Sequence, residues 1–357
     1  MAVLFHTLTV TEVTQETPEA ISITFAVPEH LRPVFQYRQG QYLTIKMDID
    51  GVSHRRNYSL CSSPYDDEPL TIAVKRVSDG VVSTFLNTKV KRGASIEVYP
   101  PMGNFTKELH PSHERSYVLF GGGSGITPLL SILKSILRVE LQSTVMLVYA
   151  NRDEASIMFD DALTALQQRY GTRLSIIHVL EVEGGREARL GRIDATVVED
   201  VLESCVPEAA MAEYFVCGPG PMMSSVIDIL HARGIDDHHI HREYFTLATN
   251  DAPPKEQVME ESKELKARTV KIKLYGSEHT FVVEPDETIL SAAVRENLDP
   301  PFACQIGACC TCRAKIVTGK VMMDEREALS DDEIEDGFAL TCQSHPLTDD
   351  VFADYDQ

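Results

Sequence analysis

Four cysteines near the end of the chain have the types and spacing to do chemistry. Cys304, Cys309 and Cys312 form a C-x4-C-x2-C pattern in the stretch Pro300-Pro301-Phe302-Ala303-Cys304-Gln305-Ile306-Gly307-Ala308-Cys309-Cys310-Thr311-Cys312, and Cys342 follows on a later element. Three thiolates on one tight loop, closed by a distant fourth, are the ligand arrangement of a plant-type [2Fe–2S] cluster. Zinc sites favour paired C-x2-C units, and disulfide frameworks belong to small secreted domains; neither fits this spacing. Gly307 lets the backbone pass close to the sulfides, where a Cβ would crowd it. Cys310, beside Cys309, departs from the pattern. It reads either as a spare thiol or as a point of oxidative sensitivity.

A one-electron centre needs a source of electrons, and 357 residues leave room for two further domains. The other cysteines, Cys61, Cys205 and Cys217, are scattered, as expected in a reducing cytoplasm. The first residues lack a basic start and an apolar signal core, so export is not expected. The uncharged run 116–133 is long enough to suggest a membrane span, but Gly121, Gly122, Gly123, Gly125 and Pro128 break it into strand, loop and helix. The net charge is −21, and 8 Lys and Arg against 18 Asp and Glu in 268–356 place about half of the excess in the last quarter. An acidic surface argues against nucleic acid and suits a basic protein partner, although solubility alone also accounts for it.

The first hundred residues alternate short β-rich runs (3–10, 21–27, 42–48, 55–60, 70–77 and 95–99) with turn residues, which predicts an antiparallel barrel. In Arg56-Asn57-Tyr58-Ser59, strand alternation puts Arg56 and Tyr58 on one face. A ring to stack on a flat cofactor beside a guanidinium for a phosphate suits a flavin; an ordinary barrel strand is the plain alternative. Ser59 faces elsewhere, as a hydrogen-bond donor at the flavin edge. Gly80-Val81-Val82-Ser83 leads into a helix predicted over 85–89, with Ser83 as its cap and free amides for a pyrophosphate.

The middle of the chain predicts a parallel sheet with helical crossovers. Strand 117–120 runs into Gly121-Gly122-Gly123-Ser124-Gly125-Ile126-Thr127-Pro128, with Thr127 as cap and Pro128 as the first residue of the next helix. A glycine loop between strand and helix offers backbone amides to phosphates. It is not a P-loop, since no Gly-Lys-Ser/Thr follows. Strands at 145–150, 174–180 and 213–217 and helices at 157–169, 195–202 and 223–233 complete the alternation, and the last strand ends in Cys217-Gly218-Pro219. Arg152 suits a 2′-phosphate, whereas Asp153 and Glu154 beside it favour a ribose hydroxyl, so NADH and NADPH both stay open. His238, His239 and His241 read as a solvated turn and strand before they read as a metal site. Polar, charged 246–267 reads as a linker. A hairpin around Gly276-Ser277, a helix at 288–296, the cluster loop, a strand at 313–318 and an acidic helix near 330–336 make a small β-grasp domain.

Taken together, Arg56-Asn57-Tyr58-Ser59, the glycine loop, Cys217-Gly218-Pro219 and the cysteine pattern resemble the ferredoxin–NADP reductase superfamily, in the branch with a C-terminal plant-type ferredoxin domain. Within it the chain is most similar to reductases of the phenylacetyl-CoA oxygenase (epoxidase) type, then to those of the ketosteroid 9α-hydroxylase type. The resemblance implies an FAD-binding β-barrel domain over 1–110, an NAD(P)-binding domain over 111–245, a linker over 246–267 and a ferredoxin domain over 268–357. It implies FAD, with FMN as the alternative, held by Arg56, Asn57, Tyr58, Ser59, Val74, Lys75, Gly80, Val81, Val82 and Ser83. Gly122, Gly123, Gly125, Thr127, Arg152, Cys217, Gly218, Pro219 and Phe245 would take the nicotinamide nucleotide, with Ser59, Cys217 and Glu243 closest to the reaction. Cys304, Cys309, Cys312 and Cys342 would hold the cluster. It further implies a cytoplasmic electron-transfer reductase serving a separate di-iron or Rieske oxygenase. A hydroxylase complete in one chain lacks its iron or haem motif here, and a redox sensor would turn over NAD(P)H only slowly.

Overall fold

The computed structural model describes residues 4–205, 209–245, 265–326 and 328–357. Most of the expected linker, 246–264, lies outside the described residues. Six antiparallel strands form the first sheet: β1 (His6–Thr17), β2 (Ala20–Ala26), β3 (Tyr42–Ile49), β4 (Val52–Ser59), β5 (Thr71–Lys75) and β6 (Ser95–Met102), in the order β4-β3-β6-β1-β2-β5. A bridge between Leu60, just past β4, and Ile72 of β5 joins the two edges, so the sheet closes on itself. Inward alternation supplies its core, with Leu8, Ile23, Leu43, Ile45, Ile72 and Val98 fully buried. β1 is longer than its apolar run predicts, because bulges between Val10 and Glu12 and between Gln15 and Thr17 let it follow β2 around the barrel.

The second sheet is wholly parallel: β7 (Ser116–Gly122), β8 (Thr144–Asn151), β9 (Leu174–Leu180), β10 (Arg189–Leu190), β11 (Glu213–Cys217) and β12 (Ile240–Glu243), in the order β10-β9-β8-β7-β11-β12. The order reverses between β7 and β11, and a ligand crevice forms beyond the carboxyl ends of strands at such a point. Helices α2 (Ile126–Val139) and α3 (Asp160–Tyr170) pack into one apolar core with β7 and β8, and α4 (Ala195–Cys205) and α5 (Gly220–Ala232) into another. Ser131 Oγ donates to the Ser62 carbonyl at 2.7 Å and Lys134 pairs with Glu68 at 3.0 Å, so α2 fixes this sheet against the barrel.

Two helix starts differ from the expectation. The helix α1 spans Val81–Lys89 with Gly80 at its N-cap, and α2 begins after a 3₁₀ turn, Gly123–Gly125, with Gly125 at its N-cap. Ser83 and Thr127 therefore lie within the first turns, and Pro128 is the third residue of its helix. Their hydroxyls donate back to the Gly80 carbonyl (3.3 Å) and the Ser124 carbonyl (2.9 Å) rather than capping.

The third sheet joins β13 (Arg268–Leu274), β14 (Ser277–Val283), β15 (Arg313–Thr318), β17 (Phe338–Leu340) and β19 (Val351–Asp354), beside a two-stranded ladder of β16 (Val321–Met323) and β18 (Ser344–Pro346). Its helix Ile289–Arg295 is capped by Thr288 and its acidic helix Asp331–Glu335 by Ser330, each in a capping box. A separate apolar cluster of Leu290, Leu329 and Leu340 backs Cys312 and Cys342.

Candidate redox site

The four thiols converge where the cluster loop meets β17. Cys309 Sγ lies 3.1 Å from Cys304 Sγ, and Cys342 is hydrogen-bonded to both Cys312 and Cys304. All four are free thiols. The contacts run Cys309–Cys304–Cys342–Cys312, which brings together four thiols of the number a [2Fe–2S] cluster takes. The hydrogen bond with Cys304, then burial, raises Cys309 well above the usual thiol range; for Cys342 the bond with Cys304 lowers the thiol, but the bond with Cys312 and burial outweigh it and push it up to about 12. Gly307 has φ +76°, and a Cβ there would come within 2.8 Å of the Glu325 side chain. The glycine thus answers a backbone and packing demand of the loop itself. Cys310 is buried and donates to the Ala328 carbonyl at 2.7 Å, so it points away from the four.

This loop faces the barrel. Arg55, only 6% exposed, ion-pairs with Asp299, donates to the Pro300 carbonyl at 2.8 Å and stacks over the Phe302 ring, 4.1 Å from its centroid. Asn104 donates to Glu333 at 2.6 Å and to the Ala328 carbonyl at 3.2 Å. Tyr42 on β3 accepts the Cys310 amide at 3.1 Å. No local pattern in the sequence marks any of the three. Alternation places Arg55 on the face opposite Arg56 and Tyr58, but its partners lie more than 240 residues away, beyond any local pattern.

On the other face of β4, Arg56 is exposed and Tyr58 packs half-buried against the barrel core. Ser59 is buried and stands opposite Tyr42 in the β3–β4 register. Val74 and Lys75 end β5, and Lys75 Nζ lies 3.5 Å from the Cβ position of Gly123, which joins the barrel to the glycine loop. The first amides of α1, those of Val81 and Val82, have no intrahelical partner, as in any helix's first turn. Ser83 Oγ is already engaged with the Val77 amide and the Gly80 carbonyl, so its part there is to shape the turn.

Across the crevice, Gly122 and Gly125 sit beside Cys217-Gly218-Pro219. A Cβ on Gly125 would overlap the Cys217 carbonyl, so only glycine lets the loop pass β11. Cys217 pairs in register with Glu243 on β12. Cys217 is fully buried, and burial followed by the Glu243 charge pushes its thiol far up. Burial, then the Cys309 charge, pushes Glu243 up to about 8, and its Oε2 is buried without a hydrogen-bond partner. An orphaned buried carboxyl in register with Cys217 at the strand ends fits a site that a flavin ring and nicotinamide complete. Phe245 is exposed beyond it. Arg152 is exposed and bonded to Asp153 at 2.9 Å, while Asp153 closes a capping box with Ser156. His241 donates to buried Glu213 at 2.9 Å and Lys107 pairs with the same carboxylate at 3.0 Å, so this histidine serves an ion-pair cluster at the far end of β11.

Comparison with known proteins finds three domain families along the chain: an oxidoreductase FAD-binding domain over 7–106, an oxidoreductase NAD-binding domain over 119–228 and a 2Fe-2S iron-sulfur cluster binding domain over 272–347. The chain is 37% identical over 354 residues to a component of the 1,2-phenylacetyl-CoA epoxidase of Escherichia coli, covering 99% of this chain and 98% of that one. It is 38% identical over 345 residues to the ferredoxin reductase component of 3-ketosteroid-9-alpha-monooxygenase of Rhodococcus rhodochrous, covering 96% and 94%. Phthalate dioxygenase reductase shares the fold, with a TM-score of 0.59 at 24% identity over 98% of each chain. Among the described residues no helix is long and apolar enough to cross a membrane.

Proposed function

The chain belongs to the family of oxygenase reductases that join an FAD-binding, an NAD-binding and a 2Fe-2S domain in that order, and from that premise we propose that it feeds electrons to a phenylacetyl-CoA-type di-iron epoxidase. It is an NAD(P)H-dependent flavin and iron–sulfur oxidoreductase. The observation that carries the reading is the convergence of Cys304, Cys309, Cys312 and Cys342 on a loop that Arg55, Tyr42 and Asn104 hold against the barrel. When bound, the flavin converts a two-electron hydride donor into single electrons and the low-potential cluster passes them on.

The chain's own residues position and exclude. Tyr58 offers its ring to the isoalloxazine, and Arg56 with the Val81 and Val82 amides offers charge and donors to the pyrophosphate. Ser59 would lie at the flavin edge. Gly122, Gly125, Thr127, Gly218 and Pro219 shape the nicotinamide crevice, and Cys217 walls it with an uncharged thiol. Burial raises the Glu243 carboxyl, which would close the inner end of the nicotinamide crevice. Cys304, Cys309, Cys312 and Cys342 hold the cluster. The acidic ferredoxin domain suits a basic docking face on the oxygenase.

Reconstitution tests the assignment. The purified reductase is mixed with NADH or NADPH and a purified di-iron phenylacetyl-CoA epoxidase, or with a Rieske ketosteroid hydroxylase. Product formation with the first and not the second is expected. Turnover of the steroid alone would move the assignment to the Rieske type.

A further inference from the structure

Between the barrel and the cluster loop lies a line of buried hydroxyls that the reading above does not use. The Cys310 amide donates to Tyr42 Oη at 3.1 Å. Tyr42 Oη lies 3.3 Å from Thr311 Oγ1, and Thr311 Oγ1 lies 3.3 Å from Thr44 Oγ1. Thr44 Oγ1 donates to Asn57 Oδ1 at 2.8 Å. With Asn57 accepting at one end and an amide donating at the other, each hydroxyl donates once and accepts once. The polarity runs one way, from the Cys310 amide through Tyr42, Thr311 and Thr44 to Asn57. Thr311 is next to Cys312 and two residues from Cys309, so the line reaches the ligand loop directly.

Its two ends are what give it meaning. Asn57 stands between Arg56 and Tyr58 in the flavin-facing stretch, whereas Cys310 and Thr311 stand between Cys309 and Cys312. The side chains are sealed, with Tyr42, Thr44 and Thr311 all buried. The Tyr42 ring also packs in one apolar cluster with Ala303 and Cys309, flanked by Met102 and Cys304. A buried polar line of this kind holds a single geometry because every break leaves an orphaned group.

We propose that Tyr42 is a positioning residue for internal electron transfer, locking the cluster loop in register with the flavin strand through Thr311, Thr44 and Asn57. The inference rests on the oxidoreductase reading above. NAD(P)H supplies two electrons and is oxidised to NAD(P)⁺; they cross one at a time to the cluster, and Tyr42 is neither oxidised nor reduced.

Tyr42→Phe keeps the ring and removes only the hydroxyl. In anaerobic stopped-flow with the flavin- and cluster-loaded protein, flavin bleaching by NAD(P)H should keep its wild-type rate. Cluster reduction should slow about five- to ten-fold, the change that loss of one buried hydrogen bond brings to the docked geometry. Thr311→Val should behave likewise and Thr311→Ser should restore transfer. Hydrogen exchange of the peptide containing Cys310 should quicken in Tyr42→Phe while that of β13 does not change. Wild-type cluster reduction and wild-type exchange in both Tyr42→Phe and Thr311→Val would overturn the proposal, as would a Thr311→Ser protein as slow as Thr311→Val. A wild-type protein whose cluster NAD(P)H never reduces would instead overturn the oxidoreductase reading.

Discussion

Arg55→Ala should loosen the ferredoxin domain from the barrel without touching the nucleotide crevice. Three contributions are lost. The Pro300 carbonyl, bonded at 2.8 Å by a buried guanidinium, is left without its donor, a cost of about 1–2 kcal/mol. Stacking over Phe302 at 4.1 Å contributes about 1 kcal/mol. The pair with Asp299 adds little, about 0.5 kcal/mol, because Asp299 is 59% exposed and water takes over its solvation. Together these give about 3 kcal/mol, or about two orders of magnitude in the docking equilibrium. The Cys310 amide, bonded across the interface to Tyr42, exchanges only when the two domains part, so its exchange rate reports that equilibrium. Hydrogen-exchange mass spectrometry on the holoprotein should show the Cys310 peptide exchanging about a hundredfold faster in Arg55→Ala. Peptides from α2 and β11 should be unchanged. Wild-type protection of the Cys310 peptide would refute the docking role of Arg55.

Other perturbations read other parts of the account. Burial alone would raise the Glu213 carboxyl, but hydrogen bonds from His241 and Lys107 outweigh it and hold it at about 2 against 4.5 when unfolded. A depressed acid stabilises the fold above pH 4.5 and loses that contribution as pH falls toward 2. The shift corresponds to about 3 kcal/mol, reduced by solvent screening to about 2 kcal/mol. Thermal unfolding of Glu213→Gln should therefore converge with wild type at the acid end of that window and fall below it near neutrality. Gly125→Ala drives a methyl into the Cys217 carbonyl, so the KM for NAD(P)H should rise about ten-fold or more while the visible spectrum of the cluster stays intact. Cys342→Ser removes one of four ligands; the iron–sulfur absorbance should vanish, and NAD(P)H should still bleach the flavin.

Much of this architecture is written in local pattern. Strands 174–180 and 213–217 match the structure end to end because each is a short apolar run with turn residues at its limits. The cysteine spacing likewise gathers its thiols, since three of the four share one loop. Two helix caps differ from expectation because Ser83 and Thr127 carry the side chains that caps prefer, whereas the structure uses Gly80 and Gly125. At Gly125 the reason is tertiary: no side chain fits beside the Cys217 carbonyl. The interface residues are illegible for a related reason. Tyr42, Thr44 and Arg55 follow ordinary strand alternation, and nothing near them in sequence announces Thr311, Cys310 or Asp299. His241 reads as part of a solvated turn and strand until β12 pairs beside β11 and brings it to Glu213.

The central claim is that electrons from a nicotinamide nucleotide reach the cluster within this one chain. Its most direct test is to mix the purified, flavin- and cluster-loaded protein anaerobically with one equivalent of NADPH or NADH, freeze it within seconds and record low-temperature EPR. The account predicts the signal of a reduced [2Fe–2S] centre, lost in Cys342→Ser. A bleached flavin beside a silent, still oxidised cluster would contradict it.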